Sequence, residues 1–206
     1  MKKQYYALKA SLPMLLFGAE PPLSSADFLG RCEAFLEPAR MKFLRELTPV
    51  PREVPDFEKN FKTASVPSRR DVRTGDARAM ERYVRWEIAL RNTLARLRAA
   101  KLGQDPEANT VKFAEYDSAA DSAARTAFNL ADPLEKEMTL DRARWDFLDG
   151  MEWNHAFNFE ALCIYRYKLM ILEKWAARRA GSGADNLNAA AARAEKSMRQ
   201  TRNELS

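Results

Sequence analysis

The sequence predicts an all-α fold, a helical bundle of about six to eight helices. Apolar residues recur at steps of three and four over long stretches, which is the period of one helix face. Ser, Asp and Pro stand where those stretches begin, and Gly stands where several of them end. No stretch keeps the alternating pattern of a half-buried strand for more than a few residues. We therefore expect a single helical domain over residues 1–206.

The first helices are predicted from their start signals. Ser24 and Asp27 form a capping-box pattern for a helix that continues through Cys32. Pro38 is placed to open the next helix, which runs through Leu44. Both helices precede the part of the chain that is richest in proline.

Residues 48–68 are expected to form a connecting segment. Proline at this density removes backbone donors and interrupts any regular helix. The prolines of this stretch are Pro49, Pro51, Pro55 and Pro67.

Longer helices are predicted after this connection. One begins at Asp76 and ends before Gly103, and a second is expected to follow with Asp105 as its cap and Pro106 as its first residue. Asp132 and Pro133 repeat that arrangement for a helix to Gly150, and another runs from about Asn154 to Arg179. The last, over 184–206, has only a narrow apolar stripe and is predicted to be peripheral.

The charges alternate in blocks along the chain. The net charge is +6 over 69–102, −8 over 103–165 and +5 over 166–206. Such blocks can neutralise one another in a bundle or meet partners of opposite charge. Binding of nucleic acid through 69–102 is the weaker interpretation, because its arginines do not gather on one helix face and carboxylates interrupt them. No signal peptide or membrane-spanning stretch is predicted, so we expect a cytoplasmic protein.

The sequence offers few residues for catalysis or metal binding. Glu152 and His155 form a Glu-x-x-His pattern, but a di-iron bundle needs a second one and the chain has a single histidine. Cys32 and Cys163 stand 131 positions apart among apolar neighbours and are predicted to be core residues. Phosphate-binding loops and nucleophile motifs are absent from a chain with seven glycines. We expect no catalytic residue, cofactor or metal.

Two glutamates fall on apolar stripes, where a charge needs a partner. These are Glu87 and Glu160. Each is predicted to meet a helix arginine, Asn92, Asn158 or a tyrosine hydroxyl, which would make these four residues structural polar positions. A paired-carboxylate acid/base site and a subunit interface are the alternatives.

Several stretches carry a family resemblance. Residues 83–103, with Glu87, Asn92 five residues later and a basic ending at Gly103, resemble a helix of the C subunit of V/A-type ATPases, known as the d subunit in the eukaryotic pump. The chain is also similar to a bacterial family of unassigned function found with V-type ATPase genes. The stretches that carry this second similarity are 5–13, 20–22, 132–135, 144–148 and 157–175.

The resemblance implies a role in coupling. The C subunit links the central rotor stalk to the membrane ring of proteolipid subunits and does no chemistry, so the implied partners are these two assemblies and the implied location is the cytoplasmic periphery of the membrane ATPase. An assembly or accessory factor of the ATPase is one alternative, and a helical adaptor or nucleic-acid-binding protein is another. The candidate partner-binding residues in these stretches are Arg91, Arg98, Lys101, Arg144 and Trp145.

Overall fold

The computed structural model describes residues 5–47, 76–111, 116–153, 155 and 157–181, without the side chains of residues 76–79 and 81. Within these residues the chain forms seven α-helices and no strand, which confirms the predicted all-α fold. The predicted connection at 48–68 and the predicted helix at 184–206 lie outside the described residues. The helices are α1 Tyr6–Ser11, α2 Ser25–Glu33, α3 Pro38–Glu46, α4 Asp76–Lys101, α5 Ser118–Asn129, α6 Pro133–Glu152 and α7 Phe159–Gly181.

Three helices begin at the residues that the sequence predicted as their start signals. The Ser24 hydroxyl accepts from the Asp27 N–H, and the Asp27 carboxylate accepts from the Ser24 N–H, so the capping box of α2 is complete. Pro38 is the first residue of α3. Asp132 accepts from Leu134 N at 3.0 Å, at the start of α6.

The end of α4 confirms the stop predicted at Gly103. Gly103 has a φ of +66°, a left-handed conformation that glycine adopts without steric cost. The Gln104 N–H donates to Ala99 O at 2.9 Å and the Gly103 N–H to Ala100 O at 3.3 Å. This pair of bonds satisfies two of the last helical carbonyls and turns the chain away from α4.

The helix predicted to start at Pro106 is absent, and that prediction was wrong. Asp105 does accept from Glu107 N at 3.0 Å, but the cap opens a run of turns instead. The turns end at Val111, whose backbone is held from α4 by Asn92. The next helix, α5, has Asp117 as its cap, with Asp117 Oδ1 accepting from Ala120 N.

The last described helix begins later than predicted. It starts at Phe159 rather than Asn154, because Asn158 Oδ1 accepts from Ala161 N at 3.2 Å and so supplies the cap. Phe157, inside the predicted helix, precedes the observed one and is partly exposed.

Helix α7 is the centre of the bundle. It is buried along almost its whole length and packs against α2, α3, α4 and α6. Helices α4, α5 and α6 pack on one another in chain order, and α4 packs most extensively on α5. Cys32 and Cys163 are fully buried in this core, as predicted, and burial raises the pKa of the Cys32 thiol to about 12.

None of the helices in the described ranges combines the length and the apolar character needed to cross a bilayer. Even the central helix carries charged side chains along its length, among them Glu160, Lys168 and Glu173.

Candidate functional site

The most heavily charged part of the interior lies where α4, α6 and α7 meet. Glu87 of α4 is 1% exposed, and its carboxylate accepts two hydrogen bonds from Arg144 of α6. The two hydrogen bonds run from Arg144 Nε to Oε2 at 2.9 Å and from Nη2 to Oε1 at 2.8 Å. Arg91, one turn further along α4, adds a bond from Nε to Oε1 at 2.7 Å. Of the alternatives for Glu87, the structure shows the pairing with helix arginines.

The same arginine reaches a second buried carboxylate. Asp141 lies one turn before Arg144 on α6, is 2% exposed, and accepts from Arg144 Nη1 at 2.8 Å. Its other oxygen accepts from Trp175 Nε1 at 2.8 Å and pairs with Lys174, both on α7. The network therefore joins the three longest helices. We call it the core charge network, and its members are Glu87, Arg91, Asp141, Arg144, Lys174 and Trp175.

Within the network, Glu87 and Arg144 each favour the charged form of the other. Burial alone would raise the pKa of Glu87, but Arg144 and Arg91 outweigh it and hold the pKa of this carboxyl below its usual range. Burial opposes the charge on Arg144, yet Glu87 and Asp141 hold its pKa above the usual value. A carboxylate whose two oxygens both accept from guanidinium groups is poorly placed to exchange protons with a substrate. The geometry thus makes Glu87 a structural group.

Aromatic rings enclose the network on one side. The ring of Tyr83 lies 4.7 Å from that of Tyr167, and Trp86 stacks on Phe147 at 4.7 Å. Burial, and after it the charge of Glu87, raises the pKa of the Tyr83 hydroxyl well above its usual value. Glu87 and Asp141 are themselves almost completely buried, and the low local dielectric strengthens the hydrogen bonds that they accept from Arg144.

Asn92 uses its side chain to hold a loop. Its Nδ2 donates to Val111 O at 2.9 Å, and its Oδ1 accepts from Val111 N at 2.9 Å. The amide thereby pairs with both backbone groups of one residue and anchors the end of the turn region to α4. The sequence predicted that Asn92 would meet Glu87 or Glu160, and the structure pairs it with the Val111 backbone instead.

Glu160 and His155 lie together at the start of α7. Glu160 is 0% exposed, and its Oε1 is 3.9 Å from His155 Nδ1. Asn158 Nδ2 lies 2.9 Å from the same ring nitrogen. Glu160 and Glu87 thus have different neighbours in the structure, His155 and arginines respectively, and the two glutamates are not brought together as an acid/base pair by the contacts described.

Glu152 of the Glu-x-x-His pattern pairs with two lysines of this chain. Glu152 Oε1 accepts from Lys9 at 2.7 Å, and its other oxygen accepts from Lys168. In the ranges that the structure describes, no group of three or more His, Cys, Asp or Glu side chains is arranged to hold a metal ion. Glu152 serves instead as the anion of a small ion-pair cluster.

That cluster joins α1, α6 and α7, and sequence reasoning missed it. Lys168 of α7 is largely buried, pairs with Asp149 and Glu152 of α6, and lies 5.4 Å from the Trp145 ring centre. Lys9 of α1 completes the set. The signal that could have found it was the position of Lys168 on the apolar stripe of its helix, one turn after Ile164. We call Lys9, Asp149, Glu152 and Lys168 the junction charge cluster.

The five candidate partner-binding residues fall into two groups. Arg98 and Lys101 are exposed on the last turn of α4. Arg91 and Arg144 are engaged with Glu87, and Trp145 is buried against Phe17. Binding of a partner by these residues stays a prediction, and in the isolated chain Arg98 and Lys101 are the pair presented to solvent.

Comparison of the chain with protein-family models, with curated proteins and with solved structures gave no match. The resemblance to the ATPase-associated family therefore stays a prediction from the sequence.

Proposed function

We propose that this chain is a non-catalytic coupling component of a V/A-type rotary ATPase, a helical adaptor that links the central rotor stalk to the membrane proteolipid ring. The observation that carries the adaptor role is the core charge network. The resemblance of residues 83–103 and 132–175 supplies the identity of the partners.

The network suits a part that must transmit force without deforming. Hydrophobic contacts alone are non-directional and let helices slide or rotate by small amounts. The two-pronged bond between Arg144 and Glu87 fixes the rotation of α6 relative to α4, and Asp141 fixes α7 against the same side chain. Buried polar groups that specify a register are a known use of such pairs.

The contacts of three buried or half-buried carboxylates support the non-catalytic half of the proposal. The carboxylates of Glu87, Asp141 and Glu152 all accept hydrogen bonds from cations of this chain. An acid/base enzyme needs at least one such group facing a substrate cleft. The described residues use these groups to hold helices instead.

The exposed basic turn at the end of α4 is the surface we assign to partner contact. Arg98 and Lys101 face solvent there, and Lys101 Nζ lies 5.9 Å from the Phe128 ring centre. Cations on a rim act mainly on association rate and specificity. Salt is therefore expected to slow assembly with the stalk more than it weakens the finished complex. The proposal places the chain in the cytoplasm, at the periphery of the membrane ATPase.

The test is purification of the ATPase from cells that have or lack this protein. We expect the protein to co-purify with the stalk subunits, and its deletion to uncouple ATP hydrolysis from ion transport. Complementation with a double variant, Arg98→Glu with Lys101→Glu, should restore coupling poorly. Lys42→Glu is the matched control, because it reverses one exposed charge on α3.

An intact and fully coupled ATPase purified without this protein would overturn the coupling role and favour an assembly factor. Equal complementation by the double variant and the Lys42→Glu control would remove the basic turn from the partner surface.

A further inference from the structure

The single histidine of the chain, His155, lies in the connection between α6 and α7. Its backbone N–H donates to Glu152 O at 2.9 Å, which ties it to the end of α6. Its Nδ1 lies 2.9 Å from Asn158 Nδ2 and 3.9 Å from Glu160 Oε1. The His155 side chain is 24% exposed, whereas that of Glu160 is 0% exposed. One ring nitrogen, open to solvent protons, thus lies near two different partners, an amide and a carboxylate.

The cap of α7 decides which way the Asn158 amide faces. Asn158 Oδ1 accepts from Ala161 N at 3.2 Å, so the NH₂ end of the amide is turned towards the His155 ring. Turning the amide over would set its NH₂ against the Ala161 N–H, with two donors facing each other. An amide NH₂ can only donate, so His155 Nδ1 has to accept. The hydrogen-bond pattern therefore assigns a neutral ring with its proton on Nε2.

A second proton would reverse the role of this nitrogen. Both ring nitrogens of an imidazolium are donors, so a protonated Nδ1 and the NH₂ of Asn158 would repel each other. The carboxylate of Glu160, 3.9 Å from the same nitrogen, is an acceptor. A charge-assisted hydrogen bond of this kind is about 2.8 Å long, so the ring has to move by roughly 1 Å to form it.

The charged groups of α6 and α1 near the connection pair with one another. The Glu152 carboxylate accepts from Lys9 of α1 and from Lys168. Within the described part of the chain, Glu160 is the one carboxylate that lies within 4 Å of a ring nitrogen of His155. The anion available to the protonated ring is therefore the one on α7.

In the described contacts, the other helices that pack on α7 bring no further charge to this ring. Arg40 of α3 donates to the Tyr5 hydroxyl at 2.6 Å. Helices α2 and α4 place aromatic rings on α7 at Tyr165 and Tyr167, beyond its first turn. The position of the ring is therefore decided between the amide and the carboxylate at the start of α7.

We propose that His155 is a two-position pH switch in the α6–α7 connection. The neutral ring accepts from Asn158, and the protonated ring leaves Asn158 and donates from Nδ1 to Glu160. The added proton comes from water, through the exposed part of the side chain. Acid thereby replaces a neutral link to the cap of α7 by an ion pair with its second residue. This goes beyond the proposed function, because it requires no ATPase component.

A single histidine makes the switch directly measurable by NMR on the full isotope-labelled chain. At pH 8, long-range ¹H–¹⁵N spectra should show His155 with a proton on Nε2 and none on Nδ1. The pH is then lowered to 5, across the range in which histidine ordinarily takes up a proton. We expect the side-chain NH₂ signals of Asn158 and the carboxyl carbon of Glu160 to shift with the same midpoint as the ring.

Variants separate the two positions of the ring. Glu160→Gln keeps the shape of the side chain and removes its charge, so the ring should take up its proton only at lower pH than in the wild type. Glu173→Gln is the matched control, because it neutralises another carboxylate of α7 that is bonded to Ser25, and it should leave the midpoint unchanged. Asn158→Ala should abolish the preference for the Nε2 proton at pH 8.

Three outcomes would overturn the proposal. The first is a neutral ring that carries its proton on Nδ1 at pH 8. The second is a set of Asn158 signals that does not follow the titration of the ring. The third is a midpoint that Glu160→Gln leaves unchanged. The first two are measured on the wild-type chain, so they do not depend on the folding of a variant. All three are independent of the ATPase purification, so failure here leaves the coupling proposal where it stands.

Discussion

The core charge network and the junction charge cluster both join α6 to α7 by pairing carboxylates with cations, but they do so in different surroundings. In the core network the carboxylates of Glu87 and Asp141 are buried and share the guanidinium of Arg144. In the junction cluster Asp149 is about half exposed and the cations are Lys9 and Lys168. The planar fork of arginine satisfies buried carboxylates at fixed angles, whereas a lysine ammonium is a flexible point charge.

The bundle is expected to be most rigid around the buried Arg144. Removing one partner from a buried pair leaves an uncompensated charge, whereas an exposed carboxylate can return to water. The interior therefore depends on Arg144 much more than the junction depends on Lys168.

The largest effect is expected from Arg144→Met. It removes the buried cation that Glu87 and Asp141 share and leaves them only the partly exposed Arg91 and Lys174. The free energy of unfolding, measured by urea denaturation, should fall by about 3–5 kcal/mol. Arg144→Lys should fall between this variant and the wild type, because it keeps a charge without the fork.

Arg142→Met is the control for this comparison. Arg142 is exposed, pairs with Asp146 on the surface and lies over the Phe17 ring, so its loss should cost less than about 1 kcal/mol. Equal losses for Arg142→Met and Arg144→Met would mean that the core charge network does not dominate the stability of the bundle.

The sequence predicts one buried carboxylate of the core, Glu87, but does not identify its cationic partner. Helical spacing places Glu87 on an apolar stripe, and that is enough to expect a cationic partner. It does not identify Arg144, because 57 positions separate the two residues and no local period relates one helix to another. Asp141, which shares this arginine, was not singled out for the same reason. The all-α fold was predictable because capping and periodicity are local properties.

Two further features of the structure differ from the sequence prediction or were missed by it. Asp105 and Pro106 have the residue types of a helix start, but the chain forms turns after them, and Asn92 binds the backbone of Val111 where these turns end. The burial of Lys168 was not predicted, because a lysine on an apolar stripe is easily taken for a solvent-facing residue. Its long stem packs inside while its ammonium meets Asp149 and Glu152.

The second largest loss of stability is expected from Glu87→Gln, and its size should depend on pH. The folded pKa of Glu87 is lowered, so its stabilisation is fully present above the ordinary value of 4.5 and is lost as the pH falls through the folded pKa. At neutral pH, Glu87→Gln should destabilise the chain by about 2–4 kcal/mol. The gap between wild type and variant should narrow in acid, as urea melts between neutral pH and pH 3 would record. A gap that stays constant over this range would show that the charge of Glu87 is not what stabilises the core.

A smaller effect is expected from Asn92→Ala. The substitution removes both hydrogen bonds to the Val111 backbone and should cost about 1–2 kcal/mol. Hydrogen exchange should speed up in the turns between Gly103 and Val111 and leave α7 unchanged. Asn92→Asp is the matched variant, because it keeps the acceptor for Val111 N and replaces the donor to Val111 O with a carboxylate oxygen. Unchanged exchange in the turns of Asn92→Ala would show that Asn92 does not hold the loop.

The smallest effect is expected from Lys168→Met, which tests the junction side of the comparison. The substitution removes a largely buried ammonium and keeps the apolar stem, so the cost of desolvating the charge disappears together with its ion pairs. Glu152 retains Lys9, and Asp149 is exposed enough to be solvated by water. These terms nearly cancel, and the free energy of unfolding should change by less than about 1 kcal/mol in urea melts. Lys9→Met combined with Lys168→Met should cost more than the sum of the two single variants, because only the double variant leaves the half-buried Glu152 without a cation. A loss as large as that of Arg144→Met in the single variant would mean that the two regions are equally rigid.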